Sequence, residues 1–146
     1  MAYCTQSDME NLIPREVMVQ LTDDESLGSV NAARLAEAIA QADAEADAYL
    51  ARRYAVPVSP VPALLRKLSV DMAVYHLYSR TVHAMPEIRR ERYTDAIKRL
   101  EAIARGTAGL GADATAAPAS EQSPWAGQTN RTGDDHVFTR EKMRGF

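Results

Sequence analysis

The sequence has little of what small secreted domains and metal or redox centres require. Cys4 is the only cysteine in 146 residues, so neither an internal disulfide nor a CxxC pair can form, and a reducing cytoplasm suits the chain. No basic segment followed by an apolar one opens the chain, and no apolar run approaches the roughly 20 residues that span a bilayer. We therefore expect neither export through a signal peptide nor contact with a membrane.

Sequence motifs for catalysis are also missing. The sequence contains no GxSxG, no P-loop and no GxGxxG. His76 and His83 are seven residues apart without a cysteine or an HExxH partner, which is more typical of structural histidines than of metal ligands or a general base. The sequence therefore predicts no enzyme and no bound cofactor.

Residues 23–34 resemble a calcium-binding loop only in part. Asp23 and Gly28 stand at its first and sixth positions. Leu27 and Arg34 stand at the fifth and twelfth positions, where calcium needs oxygen ligands. We predict that this loop binds no metal.

The chain is rich in alanine, and with only 6% aromatic residues this favours helices packed through small side chains. Two short helices are expected first, one capped by Ser7 with Glu10 and one that follows Pro14. A proline-rich elbow interrupts the longer helices at residues 56–62. Apolar residues recur at helical spacing in three long segments. These predicted long helices cover residues 31–53, 63–84 and 86–106.

The organisation along the chain follows from composition. Residues 1–111 are predicted to form a mostly α, compact domain with long antiparallel helices. From residue 112 to 146 Ala, Gly, Ser, Thr and Pro dominate, so we expect an extended or disordered tail. Its isolated apolar residues are either ordinary for such a segment or anchors that order on a partner. The anchors that we select are Trp125, Phe138, Arg140, Arg144 and Phe146.

Charge is unevenly distributed, although the net charge is only -3. Residues 1–50 carry 2 basic and 10 acidic groups, residues 51–105 carry 11 and 5, and residues 106–146 carry 4 and 5. These charges either neutralise one another within the monomer or join subunits head-to-tail in a ring. For the ring, we predict inter-subunit contacts that involve Glu37, Asp43, Asp47, Arg89, Arg90 and Arg92.

The last predicted helix carries a cluster of basic residues beside its apolar stripe, so its remaining face is expected to be basic. A solvated face, a protein partner and DNA are the three interpretations. No aromatic side chain is placed there to stack on bases, and the near-neutral total charge argues against a general DNA binder. A small DNA-binding or regulatory helical protein is therefore the alternative to a structural subunit. The cluster comprises Arg89, Arg90, Arg92, Lys98, Arg99 and Arg105.

Several short motifs together resemble the Mu-like prophage family of head-tail connector proteins, the small adaptor subunits of phage morphogenesis clusters. The resemblance covers most of the chain. Leu-Thr-Asp and Tyr-Leu-x-x-Arg-Tyr are its more specific motifs, and both are structural signatures without catalytic chemistry. The motifs are Tyr3 to Met9, Gln20 to Asp23, Ile39 to Tyr54, Pro57, Pro62, Leu64, Arg92-Tyr93 and Phe138 to Phe146.

The resemblance implies an α-helical adaptor that forms a ring, typically twelve-fold, between the portal and the tail of a virion. The expected partners are other copies of the chain, the portal protein, and a stopper or tail-completion protein. Genomic DNA would pass through the ring without sequence-specific binding. The expected location is the virion neck, after assembly in the host cytoplasm. Relatives carry an Asp-rich loop where this chain has Leu27 and Arg34, so no calcium ligand is carried over.

Overall fold

The described part of the chain is built from helices alone. A computed structural model describes residues 2–81 and 84–111, and within these ranges there is no β-strand. The predicted mostly α fold class is confirmed. No helix in these ranges is long and apolar enough to cross a membrane. The helices are α1 (Gln6–Glu10), α2 (Arg15–Thr22), α3 (Ala32–Leu50), α4 (Ala63–Arg80) and α5 (Glu87–Arg105).

Local hydrogen bonds explain where the helices begin. Thr5, and not Ser7, caps α1: its side chain accepts the N–H of Asp8, whose carboxylate accepts the N–H of Thr5 in return. Asn31 caps α3 by accepting the N–H groups of Ala33 and Arg34. The prediction of Ser7 as a cap was therefore wrong by two residues, whereas α3 begins where it was expected.

Helix ends depend on backbone geometry. Gly106 ends α5 with a φ of 84°, a left-handed conformation that favours glycine. The helix α3 ends at Leu50, three residues earlier than predicted, and α4 ends at Arg80 instead of near residue 84.

The core lies around α4, which packs against all four other helices. Leu65, Leu68, Met72 and Leu77 of α4 are all at most 1% exposed and lie on several of its faces, as predicted for the core helix. Asp43 of α3 contacts Ser69 near the middle of α4, while the start of α3 lies beside the end of α4. These two helices therefore run antiparallel.

The helix α3 buries one side only. Its core side carries Leu35, Ile39, Ala42 and Ala46, as the periodicity predicted, together with Leu50. The opposite side is solvent-exposed and consists largely of alanines, with Glu37 and Gln41 among them. This exposed side and the ends of the helices hold the candidate surfaces.

Candidate interaction surfaces

The N-terminal segment, residues 2–5, is fixed to α3 and α4 by buried polar groups. The backbone N–H of Tyr3 donates to Asp43 at 3.1 Å, and the Tyr3 hydroxyl donates to Asp47. Ser69 donates to the other oxygen of Asp43 at 2.8 Å. Burial raises the pKa of Asp43, and burial followed by the hydrogen bond to Asp47 raises the pKa of Tyr3 to about 12. The tyrosine thus remains a donor at neutral pH.

The three predicted acidic contact residues differ in accessibility. Asp43 is 9% exposed and bonded within its own chain, and Asp47 is half-buried against Tyr3. Glu37 is exposed and accepts only a weak hydrogen bond, 3.4 Å long, from Gln41. Contacts of these residues with a neighbouring subunit stay a prediction, for which Glu37 has the most accessible carboxylate.

The three predicted arginines of α5 also lie in different surroundings. Arg89 is half-buried and donates to the carbonyl of Leu12 at 3.3 Å. Arg92 lies 3.4 Å from the buried carboxylate of Asp71. Arg90 is exposed. Their role between subunits stays a prediction, and only Arg90 has no hydrogen bond from its side chain to the rest of the described chain.

The exposed face of α5 around Arg90 is not basic, which corrects the expectation from the sequence. A shallow depression there is lined by three acidic and two basic side chains. Charges spaced three and four residues apart on one helix face neutralise one another, and Lys98 lies 3.7 Å from Asp95 in this way. The residues are Glu87, Arg90, Glu91, Thr94, Asp95 and Lys98.

The basic residues that do converge lie at the junction of α1, α4 and α5. A pocket of about 260 Å³, here called the basic pocket, has Leu12 and Val70 as its apolar residues and Arg66, Lys67 and Arg92 as its cations. Asp8, Asn11 and Asp71 complete the lining. The sequence interpretation missed Arg66 and Lys67 because it grouped arginines along one helix, whereas α4 and α5 supply this pocket jointly.

In the loop between α2 and α3, residues 23–31, two carboxylates form the bonds that hold the loop in place. Asp23 accepts the N–H groups of Leu27 and Gly28 at 3.0 and 2.6 Å. Asp24 accepts two hydrogen bonds from Arg80, at 2.8 and 2.9 Å, and pairs with Arg34 at 3.1 Å. The bonds from Leu27 and from Arg80 are the main causes that lower the pKa values of Asp23 and Asp24, respectively.

Polar side chains between α3, α4 and α5 have structural partners. His76 lies 3.2 Å from Glu45, which also accepts the Tyr93 hydroxyl at 2.7 Å. Tyr93 stacks on Tyr75 with ring centroids 3.9 Å apart. Across the described ranges, no three His, Cys, Asp or Glu side chains come together as a metal site would require. His83 lies outside the described residues.

A groove of about 520 Å³ follows the exposed side of α3 beside the N-terminal segment. Alanines make up half of its lining residues, and Asp43 and Asp47 form its polar part. The five selected tail anchors, from Trp125 to Phe146, lie outside the described residues, as does the whole predicted tail. Their docking therefore stays a prediction.

Few ion pairs of the described residues join the acidic and the basic halves of the chain. Arg80 with Asp24 crosses between residues 1–50 and 51–105. The contact of His76 with Glu45 also crosses, but it is an ion pair only when the histidine is protonated. The other five pairs join residues within one half. Direct ion pairs between the two halves are therefore few among the described residues.

Comparison with known proteins identifies the family. The family model described as "Bacteriophage Mu, Gp36" matches residues 3–127. The chain is 32% identical over 108 residues to the Mu-like prophage FluMu protein gp36 of Haemophilus influenzae, across 72% of this chain and 74% of that relative. The resemblance to Mu-like phage proteins is thus confirmed, while the connector role goes beyond these matches. The chain belongs to the bacteriophage Mu Gp36 family.

Proposed function

We propose that this chain is a structural head-tail connector subunit, which forms a ring between portal and tail and has no enzymatic activity. The observation that carries the proposal is the match to a Mu phage family over residues 3–127, together with the connector-like motifs of the sequence. Two structural observations support it: the described part of the chain is helical, and few of its ion pairs join the acidic half to the basic half. Unpaired opposite charges suit a head-to-tail interface.

In this proposal the C-terminal segment attaches the ring to the portal. Trp125, Phe138 and Phe146 would supply buried aromatic contacts, and Arg140 and Arg144 would pair with acidic groups beside them. Fully extended, residues 112–146 span at most about 115 Å, so the segment could reach another protein.

Imaging of the particle tests the role directly. Electron cryo-microscopy of virions, with the chain tagged, should place a ring of copies at the head-tail junction. Virions of normal structure that lack the chain would contradict the proposal.

Deletion of residues 136–146 tests the attachment. The shortened chain should keep its helicity by circular dichroism, because the described core lies within residues 2–111, but it should no longer join the portal. Deletion of residues 113–123, which has the same length and removes none of the anchors, is the matched control. A chain without residues 136–146 that still joins particles at full occupancy would contradict the docking role.

DNA binding through the basic pocket is the second candidate, because Arg66, Lys67 and Arg92 converge there. Lys67 and Arg92 already pair with Asp71 in that pocket, so Arg66 is its one cation without an ion pair among the described residues, whereas binding to duplex DNA needs several phosphate contacts. We therefore expect no salt-dependent shift of duplex DNA in electrophoresis, and such a shift would favour the regulatory alternative.

A further inference from the structure

The loop between α2 and α3 carries an apolar side chain, Leu27, that is largely exposed to solvent. Leu27 is 72% exposed, against 51% for Ile88 and 38% for Val56, the other large exposed apolar residues of the described ranges. A single exposed leucine is common on protein surfaces. Leu27 differs because the loop that carries it is held in one conformation.

Two sets of bonds fix this loop. Asp23 accepts the N–H of Leu27 itself, and Asp24 is held by two guanidinium groups from α3 and α4. Ser26 has a φ of 58°, in the left-handed region that costs a non-glycine residue about 1 kcal/mol or more. A loop that is ordered before it binds loses less entropy on association. Glu25 and Leu27 are therefore presented in a fixed arrangement.

The basic pocket has the complementary chemistry. Leu12 and Val70 give it an apolar part, and Arg66, Lys67 and Arg92 give it positive charge. Lys67 and Arg92 each lie 3.4 Å from the buried Asp71, whereas Arg66 is exposed and makes no ion pair within the described residues. Asp8 lines the same pocket but forms no ion pair with Arg66, so Arg66 is the cation that can bind an incoming carboxylate.

We propose that the α2–α3 loop of one copy of the chain inserts into the basic pocket of a second copy. Leu27 packs on Leu12 and Val70, and Glu25 pairs with Arg66. The loop and the pocket are different surfaces that share no residue, so the contact can repeat head-to-tail from copy to copy and close into a ring where the rotation permits. The inference rests on the proposed ring and names its interface.

Charge reversal tests the contact in the full-length chain. Glu25→Arg and Arg66→Glu should each weaken self-association, measured by sedimentation velocity at low salt, by about tenfold. The double variant should associate like the wild type, because Arg at position 25 then meets Glu at position 66 of the next copy. Leu27→Ser should weaken association without changing the circular dichroism spectrum. Glu16→Arg and Arg99→Glu make the same charge changes at other exposed positions and should have no effect.

The outcomes separate this contact from the connector role. A wild-type chain that stays monomeric at its highest soluble concentration overturns the contact, and so do single variants that associate as tightly as the wild type. Loss of association in the single variants without recovery in the double variant also overturns the pairing of Glu25 with Arg66. Occupancy of the wild-type chain at the virion neck decides the connector role independently, since the solution measurement requires no particle.

Discussion

The hydroxyl of Tyr3 donates to Asp47 and accepts the backbone N–H of Val58, and so joins the N-terminal segment, α3 and the proline-rich elbow. Tyr3 is 2% exposed, and Val58 is equally buried. A buried N–H that loses its hydrogen-bond partner destabilises the fold, because water cannot reach it to replace the bond. This one side chain therefore connects segments separated by up to 55 residues of sequence.

Tyr3→Phe should lower the free energy of unfolding by about 1–3 kcal/mol, because it leaves the Val58 N–H and the Asp47 carboxylate without this partner. Urea unfolding followed by circular dichroism measures the change. Tyr78→Phe is the matched control, since the Tyr78 hydroxyl makes no hydrogen bond with the described residues. Equal stability of the two variants would show that the Tyr3 hydroxyl contributes nothing.

Asp43 and Asp24 should change the pH dependence of stability in opposite directions. Burial raises the pKa of Asp43, so the folded chain holds that proton more strongly and the free energy of unfolding falls as pH rises through the raised pKa. Hydrogen bonds from Arg80 lower the pKa of Asp24. The stability that Asp24 adds to the folded chain is therefore present above about pH 3.9 and is lost as pH falls through the lowered pKa.

The variants Asp43→Asn and Asp24→Asn test these signs. Relative to the wild type, Asp43→Asn should become more stable as pH rises from about 3 to 7, and Asp24→Asn should become less stable over the same range. Urea unfolding at several pH values measures both profiles. Two variant profiles that run parallel to the wild type would refute the assignment.

The sequence predicted the long helices because their signals are local. Asn31 can cap a helix from its own side chain, and the spacing of Leu35, Ile39 and Ala42 specifies which side is buried. The choice of Ser7 over Thr5 was wrong because both residues can cap and both have an acidic residue three positions later. Only the packing of the N-terminal segment distinguishes the two.

The basic pocket could not be predicted in the same way. Arg66 and Arg92 are 26 residues apart in the sequence and come together only because α4 and α5 pack against each other. The burial of Asp43 likewise depends on where Tyr3 and Ser69 lie in three dimensions. The charge asymmetry was visible in the sequence, but its location on the surface was not.

The contrast between Leu77 and Leu27 gives a prediction on stability. Leu77 is fully buried on α4, so Leu77→Ala should lower the free energy of unfolding by about 2–5 kcal/mol through lost contacts and a cavity. Leu27→Ala, at a 72% exposed position, should change it by less than about 0.5 kcal/mol. Thermal and urea unfolding measure both. A large loss in Leu27→Ala would mean that the loop stabilises the monomer.

The last prediction is that residues 23–34 bind no calcium, because protein groups already occupy the oxygens that the ion would need. Asp23 accepts two backbone N–H groups, and Asp24 is paired with Arg80 and Arg34. Arg34 also donates to the carbonyl of Thr22 at 2.7 Å, so a fixed positive charge stands where a loop of this kind would place its glutamate.

Calorimetric titration with calcium should give no saturable heat, and millimolar calcium should leave the thermal midpoint at its value in magnesium. Arg34→Gln removes the positive charge and should lower that midpoint in either salt, since Asp24 then has one cation fewer. A saturable isotherm of micromolar affinity in the wild type would contradict this account, because calcium would first have to displace both guanidinium groups from Asp24.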